Sequence, residues 1–235
     1  MKRHLMILMG LAMVSAACGP SGSAPTAGPA QPTAAPDPTS TQLPVDLHPA
    51  HRAALQTLAA ALGVPLESIT LVSLEAVDWP NSCLGVELPG LMCAQVITPG
   101  FRVVLASGGR RFEFHSNSDG TAVWPATIAL RWSRSGGFAG FCDEMTVFLT
   151  GEVYTSNCRG NGTSGRLTAA ERVQLDEWLM EFGAVEIVQG DRAVADAMGL
   201  TLTLTGFGSG QPTAEDQAAL LNWAQAVYGR AAGGQ

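Results

Sequence analysis

The stretch FRVVLASGGRRFEFHSNSDGTAVW, Phe101 to Trp124, decides the fold class. Phe101 to Ala106 contains Phe101, Val103 and Val104, aromatic and β-branched residues that suit a pleated, half-buried surface. Ser107, Gly108, Gly109 and Arg110 follow, and adjacent glycines supply the positive φ of a tight hairpin. In Arg111 to His115 the period of two sets Phe112 and Phe114 on one face. Glu113 and His115 fall on the other, so His115 reads as a solvated strand histidine. Asn117 to Gly120 turns the chain into a third strand, Thr121 to Trp124. Three strands joined by short turns make an antiparallel meander.

Upstream, Ile69 to Val77 is a further β-rich run ending at Asp78-Trp79-Pro80. Before it, His48 to Leu62 carries Ala54, Leu55, Leu58, Ala59 and Leu62 at helical spacing. Gly63 stops that helix and Pro65 cannot prolong it. Residues 47–125 therefore read as one helix packed on an antiparallel meander. Downstream, Thr127 to Trp132 is a strand running into the glycine-rich SGGFAG, Ser135 to Gly140. A hairpin follows, Met145 to Phe148 and Glu152 to Ser156, with Gly151 in the left-handed position of its loop. Thr168 and Glu171 form a capping box opening a helix with Val173, Leu175, Leu179 and Phe182 turned mostly inward. A strand, Leu200 to Thr205, leads to a last helix capped by Thr213. Residues 126–230 thus read as β-β-β-α-β-α, with 231–235 a tail, and the whole as α+β. The two units make either one combined core or two.

The first seventeen residues have the parts of a secretory signal: Lys2 and Arg3, an apolar run from Leu5 to Val14, and the small residues Ser15, Ala16 and Ala17. The run is far shorter than the ~20 residues of a membrane span. Cys18 comes next, and the junction resembles the lipobox of bacterial lipoproteins, although Ser15 stands where that family has Leu. The resemblance implies a lipid on Cys18; ordinary cleavage would leave a free thiol there. Residues 18–46 would be the tether, since Gly19 to Asp46 holds seven of the fourteen prolines and too little apolar surface to offset its ordering entropy. The chain then belongs to the cell envelope, outside the cytoplasm, with the membrane as a partner through its lipid.

Setting Cys18 aside leaves Cys83, Cys93, Cys142 and Cys158, an even number that in an exported chain implies disulfides. Four cysteines allow three pairings, and the spacing favours Cys83–Cys93 and Cys142–Cys158. Pairing Phe148 with Glu152 carries Met145 opposite Thr155 and, on extension, Cys142 opposite Cys158, at the separation a disulfide needs. A zinc site would need clustered C-x-x-C spacing with histidine nearby, which is absent. No other metal and no cofactor is expected.

Without Lys2 and Arg3 the chain keeps 11 arginines, no lysine and 20 acidic residues, a net charge of −9. Nucleic acid is excluded as a partner on that balance. Catalysis lacks a carrier. His48 and His51 form an H-x-x-H pair at a helix start without further ligands, and no H-E-x-x-H, G-x-S-x-G or S-x-x-K occurs. The carboxylate pairs are Asp143-Glu144 and Asp176-Glu177, the latter on the polar face of a helix. No catalytic residue is assigned.

Gly136, Gly137, Phe138, Ala139 and Gly140 have two readings. The glycines can be turn formers with Phe138 in the core, or the loop can be presented to a partner with Phe138 as its apolar tip. That motif, the hairpin, the helix opening at Leu167-Thr168 with Glu171, and the closing strand and helix together resemble the emfourin-type inhibitors of thermolysin-like metallopeptidases, over Thr127 to Tyr228. The resemblance implies a loop that enters the cleft of an extracytoplasmic metallopeptidase. The first unit, with Asp78-Trp79-Pro80, Cys83-Leu84-Gly85 and Gln95 to Phe101, looks like a recurring domain of uncharacterised exported bacterial proteins, which implies a boundary and no activity. The expectation is a non-catalytic protein-binding lipoprotein. A structural or sensory envelope lipoprotein is the alternative and an unrecognised hydrolase the third.

Overall fold

The computed structural model describes residues 47–160, 162–190 and 197–233. The segments read as a secretory signal and a Pro-rich tether, with Cys18 between them, lie outside the described residues. Helix α1 (Pro49–Leu62) is capped by His48, whose Nδ1 accepts the Ala50 N–H at 3.2 Å. Gly63, at φ 66°, closes it. Its buried face is Ala50, Ala54, Leu55 and Leu58; the two alanines let the helix lie close on the sheet below, and the two leucines fill the space between. A 3-10 turn (Leu66–Ser68) leads into β1 (Thr70–Trp79), followed by β2 (Thr98–Ser107), β3 (Arg110–Asn117) and β4 (Val123–Pro125). These form an antiparallel sheet in chain order. Register pairs Val103 with Phe114 and Leu105 with Phe112, so all four of these buried side chains face α1.

The second sheet is larger. Its elements are β5 (Ile128–Gly136), β6 (Phe141–Phe148), β7 (Glu152–Ser156), β8 (Thr163–Arg166), α2 (Ala169–Glu181), β9 (Ala184–Gln189), β10 (Met198–Thr205) and α3 (Ala214–Ala232). The strand order is β8-β7-β6-β5-β10-β9, every neighbouring pair antiparallel. The class is α+β, but the expected β-β-β-α-β-α order gains two strands and becomes β-β-β-β-α-β-β-α. Thr163 to Arg166 has no large apolar residue and is a strand only because it pairs with β7. In β9, Val185 and Ile187 alternate inward beneath the helices, at an edge where one neighbour suffices.

Leu130, Trp132, Met145, Val147, Leu202 and Leu204 form the inner face of this sheet, and Leu175, Leu179, Leu220, Ala224 and Val227 of α2 and α3 belong to the same buried cluster. The Trp178 and Trp223 rings meet edge to face at 5.8 Å. That cluster also takes in the α1 face and Val103, Leu105, Phe112 and Phe114. The two sheets therefore share one core. Each fully buried Leu or Phe contributes about 1.5–3 kcal/mol by removal from water.

Candidate functional site

Strands β5 and β6 end on the pair Gly136–Phe141, and the residues between them form the loop. Gly136, Gly137 and Gly140 have φ of 74°, 71° and 63°, where an L side chain is strained. A Cβ on Gly136 would also come within 2.6 Å of the Ala197 carbonyl oxygen, so glycine is required there twice over. The Gly137 N–H donates to Ala197 O at 3.3 Å, and the Gly140 N–H to Gly137 O at 2.9 Å. Phe138 is 102% exposed. The reading of Phe138 as a core residue is therefore overturned, while the glycines do form the turn. Met198, opposite Gly136 on β10, adds a second partly exposed apolar side chain at this end.

The base of the loop is held in two ways. Cys142 and Cys158 are joined, with Cα atoms 5.1 Å apart. The ladder below runs Met145–Thr155 and Glu144–Ser156, and its extension brings the two cysteines opposite. Beside them lies a polar knot under α3. Arg134 donates from Nε and Nη2 to Asp143 Oδ2 at 2.9 and 2.5 Å, and its guanidinium sits 3.8 Å from the Phe141 ring centroid. The Tyr228 hydroxyl donates to Asp143 Oδ1 at 2.8 Å. Burial, and then the Asp143 carboxylate, push the Tyr228 phenol up to about 12. Arg134 and Tyr228 carry no motif that marks them in sequence; only the fold joins them across 94 positions of chain.

Cys83 and Cys93 are joined as well, Cα to Cα 5.5 Å. Asn81 Oδ1 accepts the N–H groups of Cys83 and Gly85 at 3.0 and 3.1 Å, which curls the chain back over the first sheet. The curl covers His115, which is 8% exposed, a correction to its reading as solvated. Its Nδ1 lies 2.7 Å from Leu84 O and its Nε2 2.7 Å from Glu113 Oε1. The Trp79 ring stacks on it at 4.0 Å.

The other candidates do not converge. His48 caps α1 and its ring meets Phe101 at 4.1 Å; burial, and then His48, hold the His51 imidazole below its ordinary range. Asp143 is buried and Glu144, the next residue on the strand, is exposed, so their carboxylates take opposite faces. Asp176 pairs with Arg110 at 2.5 Å and Arg172 at 3.6 Å, whereas Glu177 accepts from Gln174 at 3.2 Å. Among the described residues no three His, Cys, Asp or Glu side chains are grouped to hold a metal, and no helix is long and apolar enough to cross a membrane. Two formed disulfides fit an extracytoplasmic compartment.

No curated protein and no solved structure matches the chain. Residues 51–125 match a family model described as Domain of unknown function (DUF8738). That span opens within α1 and closes with β4, so the likeness is confined to α1 and the four-stranded sheet.

Proposed function

We propose that this chain is a non-catalytic protein-binding module, held at a membrane by a lipid on Cys18 and offering the Gly136–Gly140 loop to a protein partner. One observation carries the reading: Phe138 is fully exposed at the tip of a hairpin whose stem is fixed by a disulfide and a largely buried ion pair. A loop ordered before contact loses less entropy on binding, and large apolar side chains at the centre of such contacts dominate their energy. A metallopeptidase of the thermolysin type is the partner that accords with the emfourin-like pattern of Thr127 to Tyr228.

The test is inhibition of several thermolysin-like proteases by the full chain. Phe138→Ala should weaken inhibition about tenfold or more, the loss of roughly 1.4 kcal/mol. No inhibition by the unaltered chain would remove the inhibitor reading and leave a structural or sensory role in the envelope. Labelling with a fatty-acid analogue tests the anchor separately: membrane association that survives Cys18→Ala would overturn it.

A further inference from the structure

We propose that the cleft between the end of α1, the β2–β3 turn and the start of α2 binds a small carboxylate bearing an apolar tail. This site is independent of the loop at Phe138. The β6–β7 turn at Gly151 borders the cleft, while the glycine loop lies at the other end of β6.

The cleft measures about 490 Å³, within the range of small-molecule sites, about 300–1,000 Å³. Three arginines from three elements line it: Arg110 of β3, Arg166 at the end of β8 and Arg172 of α2. Against them stand two carboxylates. Asp176 is shared by Arg110 and Arg172, and Glu152 takes Arg166 at 2.7 Å. One positive charge is left over, in a chain whose net charge is −7. Arg172 is seated by the turn beside it. Its Nη1 donates to Thr150 O at 2.6 Å, and a Cβ on Gly151 would lie 2.5 Å from that nitrogen. Among the described residues, Nε and Nη2 of Arg110 and Nη2 of Arg172 make no hydrogen bond. Guanidinium N–H groups in this state match the two oxygens of a carboxylate. A single surplus charge suits a monoanion better than a phosphate dianion, which would meet Asp176 and Glu152. Leu62 and Val64, partly exposed in the same wall, offer the tail a surface that excludes water.

Two sources share this chemistry, a fatty acid and a peptide C-terminus, and a titration of the full chain separates them. Octanoate and N-acetyl-leucine are compared with octanol and N-acetyl-leucinamide by calorimetry, with amide chemical shifts mapped in parallel. At least one carboxylate should bind saturably, about tenfold or more tighter than its neutral counterpart, as expected for a charge-assisted hydrogen bond. The shifts should centre on Arg110, Arg172 and Leu62. Octanoate alone would assign a lipid-derived ligand and N-acetyl-leucine alone a peptide end; both would assign the shared group. Arg110→Gln with Arg172→Gln should weaken binding about tenfold or more, whereas Arg159→Gln, an exposed arginine away from the cleft, should not. No saturable binding, equal binding of the neutral compounds, or shifts centred elsewhere would each overturn the proposal, and the shift map decides it even if the double variant fails to fold.

Discussion

Two disulfides of comparable sequence separation, 10 and 16 residues, stand at two loops that behave oppositely: the first closes its loop, and the second ties down the strand at the foot of the other. The Cys83–Cys93 segment lies down. Leu84, Val86 and Leu88 are buried, the last two in a small cluster with Phe148 that borders Trp124 and Tyr154. The Cys142–Cys158 bond instead ties the stem of a loop that stands up, with Phe138 in solvent. The apolar content of each loop, not the cross-link beside it, decides whether it folds onto the protein or away from it. In the first loop every second residue from Leu84 to Leu88 is apolar. The glycine loop, which precedes Cys142 and so lies outside the segment that this disulfide closes, has glycines on either side of one phenylalanine, which has no surface to lie on.

The largest effect should come from the knot beneath the standing loop. Asp143→Ala leaves Arg134 and Tyr228 without their shared partner, and breaking a buried pair costs about 3–5 kcal/mol. Chemical denaturation reads this; a loss under ~1 kcal/mol would show that the strand ladder and disulfide alone set the stem.

Next comes the lying loop. Replacing Cys83 and Cys93 together by alanine should cost about 2–3 kcal/mol, the loop-closure entropy of a 10-residue segment, and should expose the amides around His115 to hydrogen exchange. The same replacement at Cys142 and Cys158 should cost less, because the β6–β7 ladder already holds those ends together. The reverse ranking would break the comparison.

Alkali sharpens it further. The chain has two tyrosines, one beside each region, and burial raises both phenols, Tyr228 to about 12 from an ordinary 10.0. A folded-state value above the unfolded one means stability fully present below pH 10 and lost as pH climbs from 10 towards 12. Tyr228→Phe should flatten much of that slope and leave the part due to Tyr154, read by denaturation midpoints across that range. An unchanged slope would remove Tyr228 from the account. The smallest effect belongs to Phe138→Ala, whose stability should stay within about 0.5 kcal/mol of the parent whatever happens to partner binding.

What could be read in sequence follows from the range of the forces involved. The meander from Phe101 to Trp124, the caps at Thr168 and Thr213, and both cysteine pairs are written in local pattern, and the structure has all of them. Alternation also placed His115 opposite Phe112 and Phe114 correctly. Its burial escaped because the cover is a loop some thirty residues upstream, held there by Asn81 and a disulfide. Strand β8 is polar throughout and exists by pairing alone. Strand β9 does alternate, but six residues between a helix and a glycine give a faint signal. The knot of Arg134, Asp143 and Tyr228 joins β5, β6 and α3, and the cleft arginines come from β3, β8 and α2, so no window of sequence contains either group.

Strand β10 has a consequence for how the protein is made. It occupies the middle of the larger sheet, between β5 and β9, yet it is the last strand of the chain. A polypeptide growing from its amino terminus can complete the first sheet and bring all four cysteines of the fold together well before Thr205 is synthesised. Throughout that interval β5 waits with an unpaired edge, open to pairing with other chains. Closure of such distant contacts is slow, so a helper that shields nascent chains would have its greatest effect here. A truncation before Met198 should yield an aggregating species with correct disulfides, and the last 38 residues are the keystone of the larger sheet.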